Sequence, residues 1–155
     1  MLVDFLPGED AHFNVVCREQ GWKRTMQRRA VWDCLCGNRE HPTVEMVWRR
    51  VQERLPDVSL DSIYRILDDF SEIGIIRRLE GSRVVRYDAD TSPHEHFVCI
   101  ICGNVFDFAY VEQDRVAALC HAFGVAEHVE LTVRGHCRGC FEKKTDESGR
   151  RRIRV

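Results

Sequence analysis

Four of the cysteines fall in two matched pairs, Cys99-Ile100-Ile101-Cys102 and Cys137-Arg138-Gly139-Cys140. Each Cys-x-x-Cys turn lets both thiolates face one ion, and two such turns supply the four sulfurs of a closed tetrahedral zinc site. The alternative for the same residues is burial as thiols or pairing as disulfides. Just upstream, His94 and His96 are one residue apart. In extended structure alternate side chains share a face, so the two imidazoles point the same way. The stretch from His94 to Cys102 therefore carries two kinds of metal chemistry, one of thiolates and one of nitrogens.

The elements that position these groups are bounded by composition. The chain has 155 residues, 44% of them hydrophobic, and a formal net charge of −2. That is material for one ordinary domain or two small ones with real cores. No apolar run approaches the roughly 18 residues of a membrane span. The start Met1-Leu2-Val3-Asp4 lacks the basic and apolar regions of an export signal, so the protein is read as cytoplasmic with no membrane partner. In that compartment eight cysteines argue for metal ligation and reduced thiols. The near-neutral charge leaves nucleic-acid binding to local clusters. One such cluster is Arg18, Lys23, Arg24, Arg28 and Arg29, opposed within its window only by Glu19.

Helical periodicity and caps predict four helices in the first half. Residues 9–20 end at Gly21, Thr25 caps a second helix to residue 36, Thr43 caps a third up to Pro56, and Ser59 opens a fourth that closes at Ile73-Gly74. Their inner sides are Ala30, Val31, Cys34 and Leu35; then Val44, Val47, Trp48, Val51 and Leu55; then Leu60, Ile63, Leu67 and Phe70. Asp61, Ser62, Arg65 and Asp68 face outward. Residues 75–79 and 83–87 read as a hairpin turning at Glu80-Gly81-Ser82, armed by Arg77, Arg78, Arg83 and Arg86. This order is that of a winged helix-turn-helix whose fourth helix is placed to enter a major groove.

The polar run over residues 88–93 reads as a hinge. Beyond it come strands over 94–101 and 104–109, a helix over 111–123, and a third strand alternating through Val129, Leu131 and Val133. The fold class is thus α+β, an N-terminal winged helix-turn-helix domain (1–87), the hinge (88–93) and a small α/β domain (94–142). Residues 143–155 read as a disordered polar tail. The second domain falls below the size at which one core usually suffices, so zinc and dimerisation are its expected sources of stability.

His41-Pro42-Thr43, the run from Val58 to Leu67, Phe70 to Ile76, His94-x-His96-x-x-Cys99-x-x-Cys102-Gly103, Asp107 and Cys137-x-x-Cys140 together resemble the ferric uptake regulator family of bacterial metal-dependent repressors. The likeness covers nearly all of residues 9 to 142. It implies a homodimer, a structural zinc on Cys99, Cys102, Cys137 and Cys140, and a separate regulatory ion, iron(II) or manganese(II). The regulatory ligands it implies are His41, Asp88, His94, His96 and Asp107, an oxygen and nitrogen set that suits those ions. The implied partner is double-stranded DNA with an A·T-rich palindromic operator. Candidate contacts are Arg24 and Arg28, then Ser59, Asp61, Ser62, Tyr64 and Arg65 of the fourth helix, and Arg83 of the hairpin.

Asp107, within Phe106-Asp107-Phe108, resembles the peroxide-sensing branch, where iron-catalysed oxidation of a ligand histidine releases DNA. His41 and His94 are the implied oxidation sites. Tyr64-Arg65 looks more like the branch that responds to iron(II) or manganese concentration itself, which is the alternative function. His128 differs in register from the corresponding family histidine and is left out of the ligand set. Cys17, Cys34, Cys36 and Cys120 read as small core or surface residues. No enzymatic activity is expected, because a fully thiolate zinc site has no open position for a substrate.

Overall fold

The computed structural model describes residues 10–79, 84–109, 118, 120–125 and 131–148. The chain divides between Ser92 and Pro93 into two units. The first contains α1 (Asp10–Glu19), α2 (Met26–Leu35), α3 (Val44–Gln52), α4 (Leu60–Glu72), and strands β1 (Arg77–Leu79) and β2 (Arg86–Asp88).

Helices α2, α3 and α4 each start where a hydroxyl can take up an orphan N–H. Thr25 Oγ1 accepts from the Arg28 N–H at 3.1 Å, Thr43 Oγ1 from Met46 at 3.3 Å, and Ser59 Oγ from Ser62 at 3.2 Å. The predicted apolar stripes then meet in one core, in which Val31, Val47, Val51, Ile63 and Leu67 are fully buried. Large side chains beyond the sequence expectation join it, among them Phe13, Trp32, Ile66 and Tyr87. Trp32 packs edge-on against Phe13 and Phe70, with ring centroids 5.4 and 5.8 Å apart, and so ties α1 to α4. Cys34, Trp48, Leu55 and Leu60 are only partly buried at its rim.

β1 and β2 pair antiparallel, with Arg77 opposite Asp88 and Leu79 opposite Arg86; the turn at 80–82 and Arg83 lie outside the described residues. The hinge expected over 88–93 is shorter than its polarity suggests, since Asp88 ends β2 and Ala89 is buried in the core. The hairpin cations also divide. Arg78 is exposed beside Asp68, whereas Arg77 donates to the Thr91 carbonyl and Arg86 is buried against the His41 carbonyl.

The second unit is a three-stranded sheet in the order β4 (Val105–Ala109), β3 (His94–Cys99), β5 (Thr132–Gly135), followed by α5 (Arg138–Ser148). β3 pairs antiparallel with β4 and parallel with β5. The tight β3–β4 connection turns at Gly103, whose φ of +70° is the left-handed conformation that glycine adopts without strain, and whose N–H reaches the Cys99 carbonyl at 2.8 Å. Of the third strand predicted through Val129, Leu131 and Val133, β5 is the described part, and residues 126–130 and most of 111–123 are outside the described residues. The expected tail needs correction. α5 carries helix past residue 142 to Ser148, because the run from Glu142 contains no Gly or Pro before Gly149 and starts from a turn in which Phe141 N–H bonds the Cys137 carbonyl.

Candidate metal centres

In the second unit the sheet delivers Cys99 from the end of β3 and Cys102 from the following turn, while Cys137 and Cys140 come from the start of α5. All four Sγ atoms lie within 4.8 Å of one another. Cys102 and Cys137 Sγ are 3.8 Å apart, too far for a disulfide. Four sulfurs at ~2.3 Å from a tetrahedral zinc lie roughly 3.8 Å apart, so the cluster fits that ion. All eight cysteines are free thiols.

The charge on these sulfurs is unevenly distributed. Burial pushes the Cys99 thiol up, but the backbone N–H groups of Cys102, Cys137 and Ile101 together outweigh it and bring the thiol to about 6. The Cys137 N–H stands 3.3 Å from Cys99 Sγ. Cys140 is pushed up to about 12, first by its bond with the Cys137 side chain, then by burial, then by Cys102 and Cys99. One thiolate forms readily and the next charge is resisted, which a dication would relieve.

A second cluster lies on the other end of β3. His94 and His96 share a face as alternation predicts, with Nε2 atoms 3.0 Å apart. The register sets His96 opposite Asp107 on β4, and Asp107 Oδ1 is 3.6 Å from His94 Nε2 and 3.8 Å from His96 Nε2. Two nitrogens bound cis to one ion at ~2.1 Å sit about 3.0 Å apart, so this pair is already spaced for chelation, with a carboxylate within reach of the same point.

The remaining two candidate ligands meet within the first unit. His41 and Asp88 are both buried, and His41 Nε2 is 3.7 Å from Asp88 Oδ1. His41 stands in the loop before α3 and Asp88 at the end of β2.

These motifs can be compared with known proteins. The family model described as the ferric uptake regulator family matches residues 19–133. The chain belongs to the ferric uptake regulator family. Among curated members, the peroxide-responsive repressor of Staphylococcus epidermidis is 32% identical over 130 residues, covering 81% of this chain and 86% of its own. The peroxide operon regulator of Bacillus subtilis is 32% identical over 131 residues, covering 82% and 90%. The solved ferric uptake regulator of Helicobacter pylori superposes with a TM-score of 0.75 at 23% identity, covering 84% of this chain and 90% of that one, which supports the fold.

In this family member the expected DNA-contact residues separate. Asp61, Tyr64 and Arg65 are exposed on α4 beside the capping Ser59, whose hydroxyl lies 2.8 Å from that of Ser62. Arg24 is exposed, with Nη1 3.2 Å from Asn14 Oδ1. Arg28 is different. It turns inward, pairs with Asp69 of α4, donates to the Lys23 carbonyl at 3.1 Å and lies 4.6 Å from the Trp22 ring centroid. Arg83 and His128 lie outside the described residues.

Two partners carry no local signal in the sequence. Asp69 stands on the α4 side that includes buried Ile66 and Phe70. Arg86 is buried and not a surface cation, and its strand position two residues from Asp88 shares that residue's face.

Proposed function

We propose that this chain is a metal-dependent, DNA-binding transcriptional repressor that responds to hydrogen peroxide. The observation that carries the reading is the His94, His96 and Asp107 cluster, with aspartate opposite His96, in a chain whose relatives at 32% identity are a peroxide-responsive repressor and a peroxide operon regulator. Cys99, Cys102, Cys137 and Cys140 would hold a permanent zinc. The exchangeable ion, iron(II) or manganese(II), would take His94, His96 and Asp107 from the second unit with His41 and Asp88 from the first. That set of three imidazoles and two carboxylates suits those ions by donor type.

An ion that draws ligands from both units favours one arrangement of them, and linkage requires DNA of that arrangement to tighten the ion by the same factor. A change from mostly open to mostly closed needs roughly 5 kcal/mol of differential binding. Iron(II), when bound, would activate peroxide, and the two electrons that reduce it to water would come from the ring C–H. His41 and His94 are the side chains that take up oxygen: a ring C–H becomes C–OH and hydrogen peroxide leaves as water, so the atoms balance without another reductant. An imidazole so modified is a poorer ligand, and the repressor leaves DNA. The role is regulatory, not enzymatic.

Exposed Ser59, Asp61, Tyr64 and Arg65, with half-buried Ser62, support α4 as the reading helix, and Arg24 supplies a phosphate contact. Exposed Ile100, Ile101, Phe106 and Val133 support a homodimer through the second unit, and with it a palindromic operator; its A·T-richness is what the family resemblance implies. Among the described residues no helix is long and apolar enough to cross a membrane.

The test is a gel shift on such a duplex, with manganese(II), with iron(II), and with iron(II) followed by peroxide, each with mass spectrometry of the histidine peptides. Expected are a metal-dependent shift that weakens as salt rises and is lost after peroxide only in the iron form, with one added oxygen atom on His41 or His94. An iron form that stays unmodified and bound would replace this reading by the iron-responsive one, which Tyr64 and Arg65 side by side on α4 favour.

A further inference from the structure

Three consecutive residues of β2 converge on one short loop. Arg86 is only 7% exposed, and its Nη1 donates to the His41 carbonyl oxygen at 2.8 Å. The Tyr87 N–H donates to the next carbonyl, that of Pro42, at 3.0 Å. Asp88 Oδ1 stands 3.7 Å from His41 Nε2. One strand therefore grips the backbone of His41-Pro42 at two oxygens and flanks the imidazole with a carboxylate.

The grip has something to hold. His41 has a φ of +49°, and among the described residues no other non-glycine residue has a positive φ. That conformation brings Cβ of an L residue close to the backbone, and it persists only where the surroundings over-determine it. A guanidinium bound to a carbonyl away from water is a strong, charge-assisted restraint, and removing it leaves a buried acceptor without that donor. Without Arg86, His41 can relax toward negative φ, which swings its side chain away from Asp88.

We propose that Arg86 is the positioning residue for His41. It holds the loop in the left-handed turn that sets the imidazole beside Asp88, and it makes the hairpin and this ligand a single mechanical piece. A shift of β2 moves His41, and engagement of His41 restrains β2. The proposal rests on the reading of His41 as a regulatory ligand, but its structural half concerns the metal-free protein as well.

The test compares wild type, Arg86→Met, which keeps length without a donor, and Arg86→Lys, which keeps a charged donor. In metal-free protein, the His41 ring C–H signals, assigned by their loss in His41→Ala, should broaden or move in R86M and recover in part in R86K. Manganese(II) affinity measured by calorimetry should fall about 10- to 100-fold in R86M, the range for residues that orient a ligand. In the iron form, peroxide should still oxidise His94 in R86M while oxidation of His41 drops. In a His41→Ala background, adding R86M should leave manganese affinity unchanged, because the ligand that Arg86 positions is already gone. Wild-type His41 signals and manganese affinity in R86M overturn the proposal, as does a further affinity loss in the H41A background. If R86M does not fold, the R86K comparison carries the test, and a His41 environment and affinity identical to wild type there with the bond broken in its structure count against it. If wild type itself binds no manganese, the functional reading fails, while the metal-free His41 signals still decide the role of Arg86.

Discussion

Arg28 of α2 is paired with Asp69 of α4, and its guanidinium also lies over the Trp22 ring. The two side chains are 14% and 35% exposed, between the regime of surface ion pairs and that of buried ones. Their pairing braces the proposed reading helix against the core, so the two arginines of the basic segment should behave differently. Arg28→Met should cost roughly 2 kcal/mol of stability, from the lost pair and the lost packing of its stem, and Asp69→Asn about 1 kcal/mol. Arg24→Met should leave stability within about 0.5 kcal/mol but weaken DNA binding and reduce the salt slope by about 1. Thermal or urea unfolding and salt-dependent gel shifts check both. An Arg28 variant that melts like wild type would remove the brace.

The same two residues show where sequence was readable. Caps and apolar periods locate α2 to α4 because Thr25, Thr43 and Ser59 satisfy local N–H groups, and local chemistry is written in local sequence. The cysteine knuckles and the shared face of His94 and His96 follow from spacing alone. Which arginine of a basic run turns inward does not, since Arg28 meets Asp69 across 41 residues. The burial of Arg86 is equally non-local: it depends on a carbonyl 45 residues earlier. Continuation of α5 was hidden for another reason, because polar composition describes a solvated helix as well as a disordered tail.

Removing one thiolate should dissolve the second unit's anchor. Cys137 joins β3 to α5 through both its sulfur and its N–H, which points at Cys99 Sγ. Cys137→Ser should lose zinc and, because structural zinc binding is worth on the order of 10 kcal/mol, should unfold much of the second unit while α1 to α4 persist. Zinc content and circular dichroism measure this, and a chelator should reproduce it in the wild type. Retention of one zinc per chain would show that the four sulfurs are not the site.

Cys17 and Cys34 should be poor thiol sensors. Burial pushes both thiols up, and the partial opposition of Arg28 and Arg24 at Cys17, and of Arg50 and Arg54 at Cys34, does not reverse it. A raised thiol favours the protonated form in the fold, so this contribution to stability is complete below the ordinary thiol value and is lost as pH rises through the raised one. At neutral pH both should react with iodoacetamide more slowly than a free cysteine. Peptide mapping after timed alkylation reads the rates. Fast labelling of either in folded protein would point instead to a thiol-based response.

Asp107 tests the regulatory cluster most directly because it is the only carboxylate among the three clustered side chains on β3 and β4. Its Oδ1 lies within 3.8 Å of both imidazoles, and its partial exposure lets it be changed without opening the core. Asp107→Asn keeps the shape and the strand register but replaces an anionic oxygen by a neutral one, which binds hard divalent ions more weakly. Manganese(II) affinity should fall at least about tenfold, while zinc content and melting of the metal-free protein stay as in wild type. The pattern matters more than the loss: a fall in both metals would mean that the sheet had been damaged, and unchanged manganese affinity would mean that His94 and His96 neighbour a carboxylate that is not a ligand. Since linkage ties the ion to DNA, the D107N variant should also need correspondingly more manganese for half-maximal operator binding, and its affinity at saturating metal should return toward the wild-type value.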